Sequence, residues 1–300
     1  MNLDLQGQRA LITGATKGIG RAVALRLAVE GCQLYLTARG PADLAALRDE
    51  IRLGFPVAVG IHACDLMHKG AVVALAAAFP DTDILINNAG ATPTGPIEEA
   101  TEEKWREGLE LKVIATALLT REIYAHMKKR RSGVIINVIG NCGERPDPEI
   151  IIATITNAGL MAFTRALGAV SPNHGVRILG VNPGPTLTDR LQLLMEKKAE
   201  DRTGDAARWT ELVAPLPFGR AATPQEVADV IVFAASPRAA ACSERGTHAA
   251  GRSRCRRDAH GSGVDRRGAR RVFRAQGAHQ RGRPVAGCDR GAAGAVRPGR

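Results

Sequence analysis

Three glycines and a lysine fall within eight residues, Thr13-Gly14-Ala15-Thr16-Lys17-Gly18-Ile19-Gly20. Glycines at this spacing let backbone N–H groups approach a diphosphate closely. A helix that starts there turns the positive end of its dipole toward the charge. A Gly-rich run alone reads as an ordinary turn. Here it stands between a strand at 9–13 and a helix at 19–30, the strand–turn–helix order of a dinucleotide site. An acid about 20 residues beyond the motif would bind the ribose 2′-hydroxyl of NAD(H). The second strand instead closes on Thr37-Ala38-Arg39. Arg39 offers a planar guanidinium for a 2′-phosphate, and Lys17 adds a second cation, so the pair points to NADP(H) rather than NAD(H). The alternative is that both are solvated surface cations.

The elements that must position these residues alternate along the first 235 residues. Strands are expected at 9–13, 33–38, 57–63, 83–87, 133–139 and 176–181. Helices are expected at 19–30, 42–52, 71–79, 101–129 with a break near Leu109, 153–170 and 225–235. Ile84-Leu85-Ile86 is wholly apolar, as suits a parallel strand buried on both faces. The alternation predicts an α/β fold, a doubly wound parallel sheet of the Rossmann type with helices on both faces and its last edge strand lost. No run reaches the ~18 uninterrupted apolar residues of a membrane span. The start, Met1-Asn2-Leu3-Asp4, lacks a secretory pattern, so a cytoplasmic protein is expected. The six cysteines match no zinc spacing and are expected as free thiols, with no metal site.

The net charge of +11 is not spread evenly. Residues 1–235 hold 25 Lys+Arg against 26 Asp+Glu, whereas residues 236–300 hold 16 Arg and 4 acids. The boundary is expected near 238, with an Arg/Gly/Ala-rich tail at 239–300. That tail carries too little apolar surface to offset its ordering entropy and is expected to be disordered. Its residues are those that any frame of a G/C-rich gene tends to produce, and a departure from the ancestral reading frame is expected between about 239 and 250. The rival reading is a nucleic-acid arm built on Arg266-Arg267-Gly268-Ala269-Arg270-Arg271 and Arg281-Gly282-Arg283. Against it, Phe273 is the single aromatic available to stack on bases. Weak, salt-dependent polyanion binding is expected in either case.

Further motifs come in order. Cys64-Asp65-Leu66 stands after the third strand, and Asn87-Asn88-Ala89-Gly90 after the fourth. Pro183-Gly184 with Thr188 comes after the sixth, and Pro224-Gln225-Glu226-Val227-Ala228 opens the last helix. With the Gly-rich loop, these motifs make residues 5–240 resemble the short-chain dehydrogenase/reductase family. The resemblance implies an oxidoreductase transferring hydride between NADP(H) and a carbonyl or alcohol substrate of unknown identity. It implies cofactor contacts at Gly14, Thr16, Lys17, Gly18, Ile19, Gly20, Arg39, Asp65, Leu66, Asn87, Ala89, Gly90, Pro183, Gly184 and Thr188. It also implies pairing of subunits through the helices around 116–129 and 153–170, taken here as a homodimer at most.

The resemblance further implies a Ser, a Tyr, a Lys and an Asn acting together in acid–base chemistry. Those four positions fall at Gly140, Ala153, Asn157 and Lys112, so the usual set is absent. The chain's tyrosines are Tyr35 and Tyr124, and Tyr124 is expected to pack rather than to act. Lys112 with Asn157 reads as the family's Asn and Lys exchanged. Lys112 is therefore the one catalytic candidate: its ammonium would hold the nicotinamide ribose while a water donates the proton. The opposing reading makes Lys112 a surface cation. Cys142, Glu144 and Asp147 read as ordinary loop residues, with a pocket lining as the alternative. Three functions stay open: a divergent reductase, an NADP(H)-binding pseudoenzyme or scaffold, and a nucleic-acid binder acting through the tail.

Overall fold

The computed structural model describes residues 1–242. Contacts divide the chain into units Met1–Gly251 and Arg252–Arg300, and the description concerns the first. The expectations for the tail, including disorder, a nucleic-acid arm and a lost closing strand, lie outside the described residues.

Six strands form one parallel sheet in the order β3-β2-β1-β4-β5-β6. They are β1 Arg9–Thr13, β2 Gln33–Ala38, β3 Val59–Ala63, β4 Ile84–Asn87, β5 Gly133–Val138 and β6 Val176–Val181. Strand alternation divides the core between two faces. Ala10, Ile12, Ile84, Ile86 and Ile136 pack beneath helices α1 (Gly18–Val29) and α9 (Pro224–Ala235). Leu11, Leu85, Ile135 and Ile178 pack beneath α3 (Ala71–Ala78) and α5 (Ala115–Arg130). A one-residue slip in register would exchange the two sets, so the register is firmly specified. Helix α2 (Pro41–Gly54) covers β2 and β3 through Leu44, Leu47 and Ile51.

Local signals place the helix ends. Gly31 adopts φ +78, which stops α1. Thr223 and Glu226 form a capping box with Pro224 at the first helical position of α9. The expected break near Leu109 is present: α4 (Glu102–Leu109) passes through a π-helical turn, Glu110–Ile114, into α5. The sequence pattern suggested no helix over 182–224, and the structure adds α7 (Asp189–Thr203) and α8 (Trp209–Val213) there. Thr188 caps α7, accepting from the Leu191 N–H at 3.3 Å. Helix α6 (Ile151–Gly168) meets the length and apolarity of a bilayer span by composition, but half of that stretch is buried, and it packs on β6 and α4.

Strand order reverses between β1 and β4, each of which is followed by a helix on the opposite face of the sheet. A crevice opens there, beyond the carboxyl ends of the strands.

Candidate cofactor and substrate cleft

The crevice is a cleft of about 830 Å³. At one end, Gly14 and Gly18 hold φ +64 and +52, conformations that side chains rarely adopt. Thr13 ties this loop to the segment after β4, because its hydroxyl accepts from the N–H groups of Asn88 and Ala89 at 2.9 Å. The Asn88 amide in turn donates to the Thr13 and Gly14 carbonyls at 3.0 and 3.2 Å. A Cβ on Gly14 would lie 3.1 Å from Ala89, so the two loops require glycine to meet. Lys17 is the N-cap of α1 without a side-chain cap, and the first turn holds no acid. The positive end of the helix is thus left for an anion. Lys17 and Arg39 both line the cleft, as do Asp65 and Leu66. These features fit a dinucleotide carrying an additional phosphate.

Of the residues expected to touch a cofactor, Gly14, Thr16, Lys17, Gly18, Ile19, Arg39, Asp65, Leu66, Ala89, Gly90, Pro183, Gly184 and Thr188 line the cleft. Gly20 and Asn87 do not. A Cβ on Gly20 would collide with the Gly14 carbonyl, so this glycine serves helix–loop packing. Asn87 is buried under the strand ends, donating to Thr120 Oγ1 at 3.0 Å and Asn137 Oδ1 at 2.9 Å.

At the other end the π-helical turn carries Lys112 inward. The reading of Lys112 as a surface cation is overturned, since the residue is only 8% exposed and lines the cleft. Its Nζ donates to the Val138 carbonyl at the end of β5, at 2.8 Å. Gly90 leaves the space its stem occupies: a Cβ there would lie 2.9 Å from Lys112 Cδ. No carboxylate pairs with this ammonium among the described residues. Burial pushes its pKa down to about 8, with Cys142 opposing the fall and the Arg190 guanidinium adding to it.

Gly140 lines the cleft at φ +139, while Ala153 and Asn157 lie behind it in α6. A Cβ on Gly140 would approach the Asn157 amide to 3.0 Å. Asn157 is buried and donates to Cys142 Sγ at 2.8 Å, while its Oδ1 has no partner. Cys142 therefore lies against Asn157 and in the field of Lys112. Glu144 accepts from Asn182 and pairs with Arg165, and Asp147 caps its own loop through the Glu149 N–H, so neither lines the cleft.

No phenol reaches the cleft. Tyr35 stacks on Phe79 with centroids 4.2 Å apart and bonds to Asp81. Tyr124 meets His174 Nδ1 at 2.6 Å on the α5 side of the sheet. Sequence reasoning missed Arg190, Glu107 and Leu111, which line the inner end. Thr188-Asp189, an N-cap followed by a first-turn acid, was the available signal for the helix that carries Arg190.

A family model described as short chain dehydrogenase matches residues 8–199. A 3-oxoacyl-acyl-carrier-protein reductase of Vibrio cholerae is 30% identical over 242 residues, 79% of this chain and 93% of that protein. The L-sorbose reductase of Gluconobacter frateurii, solved with NADPH and L-sorbose, is 31% identical with a TM-score of 0.76. That match covers 81% of this chain and 95% of the reductase. An actinorhodin polyketide ketoreductase solved with NADPH is 28% identical with a TM-score of 0.75, covering 79% of this chain and 94% of that one.

Proposed function

The chain belongs to the short chain dehydrogenase family, and from that premise we propose that it is an NADP(H)-dependent oxidoreductase acting on a carbonyl or alcohol, with Lys112 in place of the usual Lys and a water in place of the Tyr. The observation that carries this reading is the buried, unpaired Lys112 ammonium in the cleft wall, 2.8 Å from the Val138 carbonyl. The NADPH-bound relatives support the choice of cofactor.

When bound, the cofactor supplies or accepts a hydride. The chain's own groups do the rest. The N-terminus of α1 binds the diphosphate, and Lys17 with Arg39 holds the 2′-phosphate. One Lys112 proton is committed to Val138, and the remaining two donors are free to hold ribose hydroxyls. Leu111, Ile139 and Pro183 give the cleft apolar lining. The proton for the substrate oxygen comes from a water, because no phenol is in reach. Lys112→Met tests the assignment in an NADPH-oxidation assay over a panel of carbonyl compounds. Turnover falls by about tenfold or more if the ammonium acts, and an unchanged rate removes Lys112 from the mechanism.

A second reading has its own observation. The position that the family resemblance assigns to the phenol is the methyl of buried Ala153. This supports a protein that holds NADP(H) without turning it over, and NADPH binding with no oxidation across the panel would select it. Exposed Leu118 on α5 and Ile155 on α6 support a homodimer, which sedimentation of the purified chain checks.

A further inference from the structure

We infer that the substrate is a small oxo acid whose carboxylate is held by Arg190 at the inner end of the cleft, beside Lys112. The inference rests on the NADP(H) reading above and adds the charge of the substrate to it.

Arg190 stands in the first turn of α7, directly after the Thr188 cap and Asp189. Its Nη2 donates to the Thr92 carbonyl in the loop after β4. That bond ties the guanidinium to the loop after β4 and leaves most of its donors unused. Partial burial lowers its affinity for a proton, and Glu107 on α4 opposes this. The Glu107 carboxylate nevertheless forms no ion pair with Arg190, and Asp189 forms none either, among the described residues. Lys112 and Arg190 line the same cleft, and the Arg190 charge acts on Lys112. Two cations, one of them nine-tenths buried, share the inner end without a bonded counter-ion. Burying charge without a partner is costly, and an anion between them offsets it.

Two sources could supply that anion, the cofactor diphosphate or the substrate. The chain favours the substrate. The helix end that suits a diphosphate is at Gly14–Gly20, where Thr188 touches the loop: a Cβ on Gly18 would lie 2.9 Å from Thr188 Cγ2. Arg190 instead reaches the Thr92 carbonyl, and Thr92 packs by Gly108, four residues before Lys112: a Cβ on Gly108 would lie 3.3 Å from Thr92 Cγ2. A planar guanidinium suits a carboxylate in two parallel bonds. Apolar Ala91, Leu111 and Ile139 line the same cleft and suit a short carbon chain.

The test is equilibrium binding of straight-chain oxo acids, pyruvate and acetoacetate among them, each against its methyl ester. Binding is read by calorimetry, without cofactor and with NADP+, which cannot reduce the oxo acid. NADPH affinity is measured separately and reports on the NADP(H) reading. Preference of acid over ester reports on this inference. The expected result is a preference of about tenfold or more for at least one acid. Arg190→Gln abolishes that preference, Arg190→Lys restores part of it, and the NADPH affinity of both variants stays within about twofold. Equal binding of every acid and its ester overturns the inference. So does an Arg190→Gln variant that loses NADPH affinity and keeps the acid preference, because the anion would then be the cofactor diphosphate.

Discussion

The Lys112 ammonium donates to the main-chain carbonyl of Val138 across 2.8 Å, joining the π-helical turn after α4 to the end of β5. A π turn inserts one extra residue and rotates the helix beyond it, which is how a cation enters a wall that an unbroken helix would have kept outside. Gly90 opposite supplies the room.

This burial should make stability depend on pH. The Lys112 amine titrates at 10.5 when unfolded and at about 8 when folded. Between those values the unfolded chain binds the extra proton, so stability rises with pH across that window. At and below neutral pH the buried ammonium costs about 3 kcal/mol at most. Lys112→Met removes that cost. In thermal melts its advantage over the parent should be largest at pH 7 and should shrink from pH 8 to 10.5. A constant difference across pH would show that Lys112 is not the group involved.

Cys142 links Lys112 and Asn157: it acts electrostatically on the Lys112 ammonium, and its Sγ accepts from the Asn157 amide at 2.8 Å. Asn157→Lys alone should lower Tm, because it adds a second ammonium to a site that already buries one. Combined with Lys112→Asn, much of that loss should return. The coupling energy from the four melts, of the parent, each single variant and the double variant, is expected to be at least about 1 kcal/mol. Strict additivity would mean that the two side chains do not share a site.

Arg39 lines the cleft at the end of β2 with Asp43 nearby, while Lys17 lines the same cleft from the Gly-rich loop. Arg39→Asp should reverse the cofactor preference, weakening NADPH by about tenfold or more and sparing NADH. Paired fluorescence titrations with the two nucleotides check this. Equal loss for both would place Arg39 on a part common to them.

Arg177 in β6 holds four carbonyls at and beyond the end of α9: Ala234 at 2.9 Å, Ala239 at 3.1 Å, Ala235 at 3.1 Å and Ser236 at 2.8 Å. It neutralises the negative end of that helix and satisfies carbonyls that have no helical partner. Arg177→Met should cost about 2–3 kcal/mol. Denaturant unfolding measures this, and a change below about 0.5 kcal/mol would count the bonds as surface decoration.

Much of this architecture was legible because its signals are local. The run Ile84-Leu85-Ile86 and the Gly-rich turn marked the strand and the crevice. The break expected near Leu109 coincides with the end of α4 and the start of the π turn. The inward turn of Lys112 was one of two readings left open, beside a surface cation, and nothing local decided between them. A charged side chain in a π turn carries no periodicity of its own, and its burial depends on Gly90, over twenty residues away in the chain. Helix α7 was missed because its charged stretch, Glu196 to Arg202, presents one buried residue, Ala199. Arg190 went unnoticed with it. Asn87 was carried over from a motif whose first residue turns into the core, while its neighbours Asn88 to Gly90 face the cleft.

The most direct test of the central claim is the NADPH dissociation constant of the parent chain and of Lys112→Met, measured side by side at pH 7 with a melt to show that both are folded. The account predicts saturable NADPH binding by the parent and binding weaker by about tenfold or more in the variant, the loss of one charged hydrogen-bonding group. Equal affinity in two folded proteins would contradict it and leave Lys112 as a buried strut between α4 and β5.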